Sequence, residues 1–244
     1  MKVYGNTDKG LKRSMNQDTF YFSCFSQQLA YAVVCDGMGG ENSGNVASQM
    51  TRDTIKRELN NCIMECSVDE DTAPQTILQA IAKANTEVYE KSRTDMIYSG
   101  MGTTVVLALV VGNRCFIAHV GDSRAYLIGG GTISQLTVDH SLVQYLYEKG
   151  KLSAEEMACH PDKNKITRAV GVEPMVDVDL IEVEFSEGQV LLLCSDGLTN
   201  MCSDQEIFDT ICTEEGSIIP LKLIQKANAA GGADNITAAL IDKR

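Results

Sequence analysis

The sequence predicts one continuous α+β domain, and three observations carry that expectation. Short apolar runs rich in β-formers alternate with a few longer segments of helical period. Glycine-containing breaks join several of the runs, as tight antiparallel connections require. No repeat, low-complexity stretch or linker divides the chain, and at 244 residues it is long enough to bury roughly 70–75% of its unfolded surface.

In chain order, strands are expected at Thr19–Ser23, Leu29–Cys35, Thr103–Val111, Arg114–Val120, Arg124–Ile128, Thr132–Leu136, Val176–Val183, Gln189–Cys194 and Ile236–Ile241. Helices are expected at Gly44–Asn60 and Pro74–Arg93. In the second, Ile77, Ile81, Ala84 and Val88 line one face, and Pro74 suits a first turn. Further helices are expected at Ser141–Lys149, Ser153–Cys159, Ser203–Cys212 and Ile218–Ala229, with Ser203 and Glu206 at the spacing of a capping box. Gly112-Asn113 and Gly129-Gly130-Gly131 read as turns, so the middle of the chain is expected to form an antiparallel meander. Val105–Val111 is apolar at every position, where a one-sided sheet would alternate, so both of its faces must be covered. Two packed sheets with helices outside satisfy this, and so does one sheet under helices on both sides.

Composition excludes several functions. With 33 acidic against 21 basic side chains the formal charge is −12, and the basic residues are scattered in pairs such as Lys12-Arg13. A nucleic-acid binder needs clustered cations, so no nucleic-acid partner is expected. Val105–Val111 is the longest apolar run, far below the ~20 residues that span a bilayer, so no membrane association is expected. The N-terminal residues Met1–Asp8 lack an apolar signal core, and the nine irregularly spaced cysteines then read as reduced thiols of a cytoplasmic monomer.

The chemistry lies where apolar strands stop at an aspartate: Asp36-Gly37, Gly121-Asp122-Ser123, Ser195-Asp196-Gly197, and Asp234-Asn235 entering the last strand. Asp-Gly is common in turns, but four such sites together suggest carboxylates gathered at strand ends. Clustered carboxylates repel one another unless cations neutralise them, and hard divalent ions favour oxygen ligands.

These residues carry a family likeness. Thr7–Asp18, Asp36-Gly37-Met38-Gly39-Gly40, Gly100–Thr104, Gly121–Tyr126, Ser195–Leu198 and Asp234–Thr237, in that order, closely resemble the bacterial branch of the metal-dependent type 2C serine/threonine protein phosphatases. The resemblance implies a four-layer α-β-β-α sandwich of two antiparallel sheets flanked by helices, with residues 1–244 forming a single phosphatase domain. It implies that Asp36 bridges two Mn²⁺ or Mg²⁺ ions, that the Gly37 carbonyl completes one, and that Asp196 and Asp234 ligate the other. Asp122 with Asp196 matches a third, weaker metal site, Asp18 matches a position acting through metal-bound water, and Arg13 matches the arginine that grips the substrate phosphate. It also implies phosphoserine and phosphothreonine proteins as substrates, hydrolysed by a metal-activated water, with a serine/threonine kinase and its targets as partners.

Elementary chemistry fits these roles: paired cations lower the pKa of a shared water, and arginine offers a planar fork to phosphate oxygens. Eukaryotic relatives carry histidine where this chain has Met38, whose thioether donates no proton, so no protein general acid is assigned. Glu41 stands where many bacterial relatives have histidine. Residues 139–174 correspond to a variable flap beside the family's active site, and packing decoration is the plainer alternative. His119, His140 and His160 share no motif and suggest no metal site; His119 reads as a hydrogen-bonded core or interface residue. Cys35 and Cys194 sit close to proposed ligands but read as small packing residues. A silent phosphopeptide-binding module and a hydrolase of small phosphomonoesters are the competing functions; a complete set of Asp36, Asp196 and Asp234 argues against the first.

Overall fold

The computed structural model describes residues 1–40, 43–65 and 68–244. Glu41 and Cys66 lie outside the described residues. The strands are β1 (Lys2–Asp8), β2 (Asp18–Cys24), β3 (Leu29–Met38), β4 (Gly102–Thr103), β5 (Val105–Val111), β6 (Arg114–Val120), β7 (Arg124–Gly129), β8 (Thr132–Gln135), β9 (Asp179–Glu184), β10 (Val190–Cys194) and β11 (Ile236–Asp242). The helices are α1 (Ser43–Glu65), α2 (Ala73–Ser92), α3 (Leu142–Glu148), α4 (Ala154–Cys159), α5 (Asp196–Thr199), α6 (Asp204–Thr213) and α7 (Ile218–Ala229).

Two antiparallel sheets result, one ordered β1-β11-β10-β7-β8 and the other β2-β3-β5-β6-β9, with β4 paired to β3. Their inner faces meet through alternate, mostly small residues: Ala30, Ala32 and Val34 of β3 and Ala108 of β5 pack against Leu191, Leu193, Ala239 and Ile241. The intervening residues Tyr31, Val33 and Cys35 point the other way, onto Ile55, Leu59, Ile77 and Ile81 of α1 and α2. On the second sheet Leu192, Cys194, Ala238 and Leu240 cover α5, α6 and α7 through Leu198, Ile207, Leu223 and Ala227. Both faces of the central strands are therefore buried, which is why their sequences are apolar without alternation. The layers are α-β-β-α, so the two-sheet alternative is the one realised.

Differences from expectation have physical causes. The predicted meander is two hairpins in different sheets: β5–β6 in one and β7–β8 in the other, because the chain crosses between sheets at Gly121–Ser123. Strand β1 escaped the pattern because it is a half-exposed edge of polar and small residues that owes its place to full pairing with β11. α1 runs on to Glu65, past the expected end at Asn60, because Ile63 still packs on the core. Val176 and Val178 also pack there, yet pairing with β6 begins only where Asp179 meets His119. The expected capping box of Ser203 with Glu206 forms, and Ser153 with Glu156 makes a second, beyond the one expected.

Candidate active site

The inter-sheet crossing, the end of β3 and the approach to β11 all fall at one edge of the sandwich. Strand β3 reaches it with Asp36, directly opposite Asp18 on β2. The Asp36 backbone is fixed on both sides: its N–H donates to Thr104 Oγ1 at 3.0 Å, and its carbonyl accepts from Thr104 N and Thr103 Oγ1, each at 2.8 Å. Gly37 follows because any Cβ there would lie 2.1 Å from the Gly44 carbonyl of α1. The glycine lets the helix start close against the strand end.

Asp18 is buried and tied across the sheets. Ser195 Oγ and Thr237 Oγ1, both from the other sheet's side, donate to its Oδ2 at 2.6 and 2.7 Å, while Oδ1 is buried with no partner among the described residues. Asp196 opens α5; Asn200 Nδ2 donates to its Oδ2 at 2.9 Å, and its Oδ1 is likewise buried without a partner among the described residues. Asp234 accepts from the Asn235 amide on Oδ1 at 2.8 Å and from the Arg13 guanidinium on Oδ2 at 2.6 Å. Arg13, more than half exposed, thus lies at the rim of the same group.

Arg13, Asp36, Gly37, Asp122, Asp196 and Asp234 line one cavity of about 480 Å³. Every proposed ligand except the more deeply buried Asp18 borders it. Burial, then the charges of Asp18 and Asp196, push the Asp36 carboxyl well above the carboxylate range. Burial followed by Asp196 does the same for Asp122, and burial followed by Asp234 raises Asp196. Asp18 is also raised, burial outweighing the donated bonds of Ser195 and Thr237. Like charges have thus been brought together out of water, which a fold tolerates where a cation compensates them.

The residues fit a hard divalent ion on three counts: all-oxygen donors, buried orphan oxygens on Asp18 and Asp196, and mutual repulsion. Among the described residues no three acidic, histidine or cysteine side chains are disposed to hold an ion unaided.

Residues 139–174 overhang this edge. Lys165 and Ile166 border the Arg13 cavity, and a second cavity of about 480 Å³ on the other side of Asp122 and Asp196 is walled by Val143, Ala154 and Met157. The excursion is anchored at its root, where Arg124 pairs with Asp139 at 2.7 Å and Thr167 N donates to the His140 carbonyl at 2.7 Å.

Sequence reasoning missed the supporting residues. Ser195, Thr237, Thr104 and Asn235 all fall inside the motifs, but as polar neighbours of an aspartate they carry no pattern that assigns a partner. His119 is corrected. It is fully buried, but neither ring nitrogen makes a hydrogen bond among the described residues, and its ring packs on that of His140 at 4.7 Å. Burial and then the neighbouring His140 lower its pKa to about 3, so it stays a neutral packing residue.

A model of the family described as protein phosphatase 2C matches residues 11–216. The chain is 38% identical over 243 residues to the serine/threonine phosphatase stp of Listeria monocytogenes, covering 97% of this chain and 94% of that one. It is similar to the solved structure of the S. agalactiae serine/threonine phosphatase, with a TM-score of 0.92 and 37% identity over 100% of this chain and 99% of that one. A catalytic domain of the serine threonine protein phosphatase PstP in complex with two manganese ions gives a TM-score of 0.87 and 30% identity, over 99% and 97% of the chains.

Proposed function

The chain belongs to the protein phosphatase 2C family and is a metal-dependent serine/threonine phosphatase, and from that premise we propose which of its residues do the work and on what. Asp36, the Gly37 carbonyl, Asp196 and Asp234 would hold two Mn²⁺ or Mg²⁺ ions, Asp122 with Asp196 would serve a third, weaker site, and Asp18 would act through bound water rather than as a direct ligand. The observation that carries this reading is the cavity into which Asp36, Asp122, Asp196 and Asp234 all open, with Asp196 Oδ1 buried and without a partner among the described residues.

When bound, the ions lower the pKa of water to yield a nucleophile near neutral pH and offset charge on the phosphoryl oxygens. The chain's own groups do the rest. Thr103 and Thr104 fix the Asp36 backbone, so its carboxylate enters the cavity in one orientation. Ser195 and Thr237 take up one oxygen of Asp18 and leave the other facing inward. Arg13 stands at the mouth, where its planar donors can exchange Asp234 for the phosphoryl oxygens of a substrate. Met38 lines the cavity and donates no proton, and no protein general acid is assigned to the leaving serine or threonine oxygen. The open mouth suits a phosphorylated side chain carried on a protein, and a serine/threonine kinase and that kinase's targets are the proposed partners. The 139–174 excursion acts as a flap over that mouth, supported by Lys165 and Ile166 at its border.

The test is phosphate release from a phosphothreonine peptide. Turnover in Mn²⁺ should fall at least ~10³-fold in EDTA and in Asp36→Ala. Turnover that survives either treatment rejects the assignment.

A further inference from the structure

Between β1 and β2 the chain makes an irregular loop over residues 9–17 with Arg13 near its tip. Locally, Asp8 accepts the Gly10 amide and Asn16 bridges Thr7 and the Asp18 amide. Further bonds reach the loop from the far end of the chain, from the stretch leading into β11.

Asn235 is 4% exposed and spends its amide entirely on this loop. Its Nδ2 donates to the carbonyls of Lys9 and Met15, both at 2.9 Å, and its Oδ1 accepts the Gln17 amide at 2.8 Å. Both donors and the acceptor are used, and they grip the loop at its entry and its exit. Two further bonds, from the Leu11 and Lys12 amides to the Gly232 carbonyl at 2.8 and 3.2 Å, press the tip onto the same segment. Gly10, at φ +78°, completes the fit, since a Cβ there would lie 2.1 Å from the Asp234 carbonyl. The neighbouring Asp234 presents its carboxylate to the Arg13 side chain.

We propose that Asn235 is the positioning residue for Arg13: its side-chain amide clamps the 9–17 loop and thereby sets the reach of the guanidinium toward the substrate phosphoryl group. This rests on the reading of Arg13 as the phosphate-binding arginine. One dipeptide then serves both halves of the site, Asp234 through its carboxylate and Asn235 through the loop. An Asn at this position is required because only a primary amide supplies two donors and an acceptor from one short, uncharged side chain. A displacement of the guanidinium by about 1 Å is enough to weaken a bidentate phosphate contact severely.

The experiment is steady-state kinetics on a phosphothreonine peptide in saturating Mn²⁺, with Arg13→Ala, Asn235→Ala and the double variant, each also tested for Mn²⁺ binding by calorimetry and for amide exchange in residues 9–17. Asn235→Ala should raise KM about tenfold with kcat within about threefold, and should add less than about twofold in the Arg13→Ala background. Mn²⁺ affinity should stay within about threefold of the parent, and the Gln17 amide should exchange at least about tenfold faster. An unchanged KM in Asn235→Ala, a full KM increase repeated in the Arg13→Ala background, or a tenfold loss of Mn²⁺ affinity overturns the proposal, the last because Asn235 would then act through the metal ligands. If Arg13→Ala itself leaves KM unchanged, the phosphate reading of Arg13 has failed, and the exchange rates report separately whether the clamp exists. Should Asn235→Ala not fold, Asn235→Ser keeps one donor and should raise KM by roughly threefold under the same criteria.

Discussion

Strand β11 joins two ends of the molecule that handle buried charge in opposite ways. At its start, beside Asp234, four carboxyl groups are pushed above their ordinary range by burial and by one another. At its end, Lys243 is 3% exposed and fully satisfied: its ammonium donates to the carbonyls of Gly112 and Phe185 at 2.7 and 2.6 Å and to Asn113 Oδ1 at 3.3 Å, over the Phe185 ring. The lysine thus ties the β5–β6 turn and the entrance to β10 to the last strand. A buried charge whose donors all find acceptors holds a fold together. Buried charges left short of partners cost stability and keep their binding capacity for something else.

The sharpest way to break this contrast is to neutralise one group at the acidic end. Asp36→Asn should lower kcat at least ~10³-fold while leaving the metal-free protein as stable as the parent or more so, because it removes one of several repelling charges. Denaturant titration in EDTA checks the second half; a less stable metal-free variant would mean the carboxylates support the fold.

The pH dependence of the metal-free protein carries the same argument. Asp18 in the fold holds its proton up to about 7, whereas an unfolded aspartate loses it near 4. Between those values the native state binds more protons than the unfolded one, so unfolding free energy falls as pH rises through this window. In EDTA the melting temperature should therefore drop from pH 5 to pH 7, with saturating Mn²⁺ reversing the drop. A rise in EDTA would contradict the raised values.

At the other end, Lys243→Met strands the buried Phe185 carbonyl and releases the half-buried Gly112 carbonyl and the exposed Asn113 amide, at a cost of about 1–3 kcal/mol. Thermal unfolding measures that loss, while kcat/KM should stay within about twofold because the lysine lies at the far end of β11. The smallest effect concerns the thiols. Cys35 and Cys194 are fully buried, and burial raises both, Cys194 to about 12. Brief peroxide treatment should leave activity unchanged; a loss reversed by dithiothreitol would make one of them a redox switch.

Much of this was legible in the chain itself, for a physical reason. Residues that end buried strands are local in sequence, so Asp36, Asp122, Asp196 and Asp234 announce themselves by an apolar run followed by Asp and a small or polar neighbour, and all four border one cavity. The central strands were equally plain, since burial on both faces forces uninterrupted apolar text. Whatever depends on two distant segments meeting was not legible. Strand β1 takes its structure from β11, Asn235 takes its partners from a loop more than two hundred residues earlier, and His119 meets His140 only because the flap root folds back. The assignment of hairpins to different sheets failed for the same reason: Gly121–Ser123 looks like any turn until the second sheet is in place.

The central claim is that the acidic edge is held in readiness for cations, and calorimetric titration of the metal-free protein with Mn²⁺ near pH 7 tests it most directly. Binding should displace protons from the buried carboxyls, so the measured heat should change with the ionisation enthalpy of the buffer, and both the binding and the proton release should be reduced in Asp36→Asn. Absence of Mn²⁺ binding, or binding that releases no protons and is indifferent to Asp36→Asn, would contradict the account.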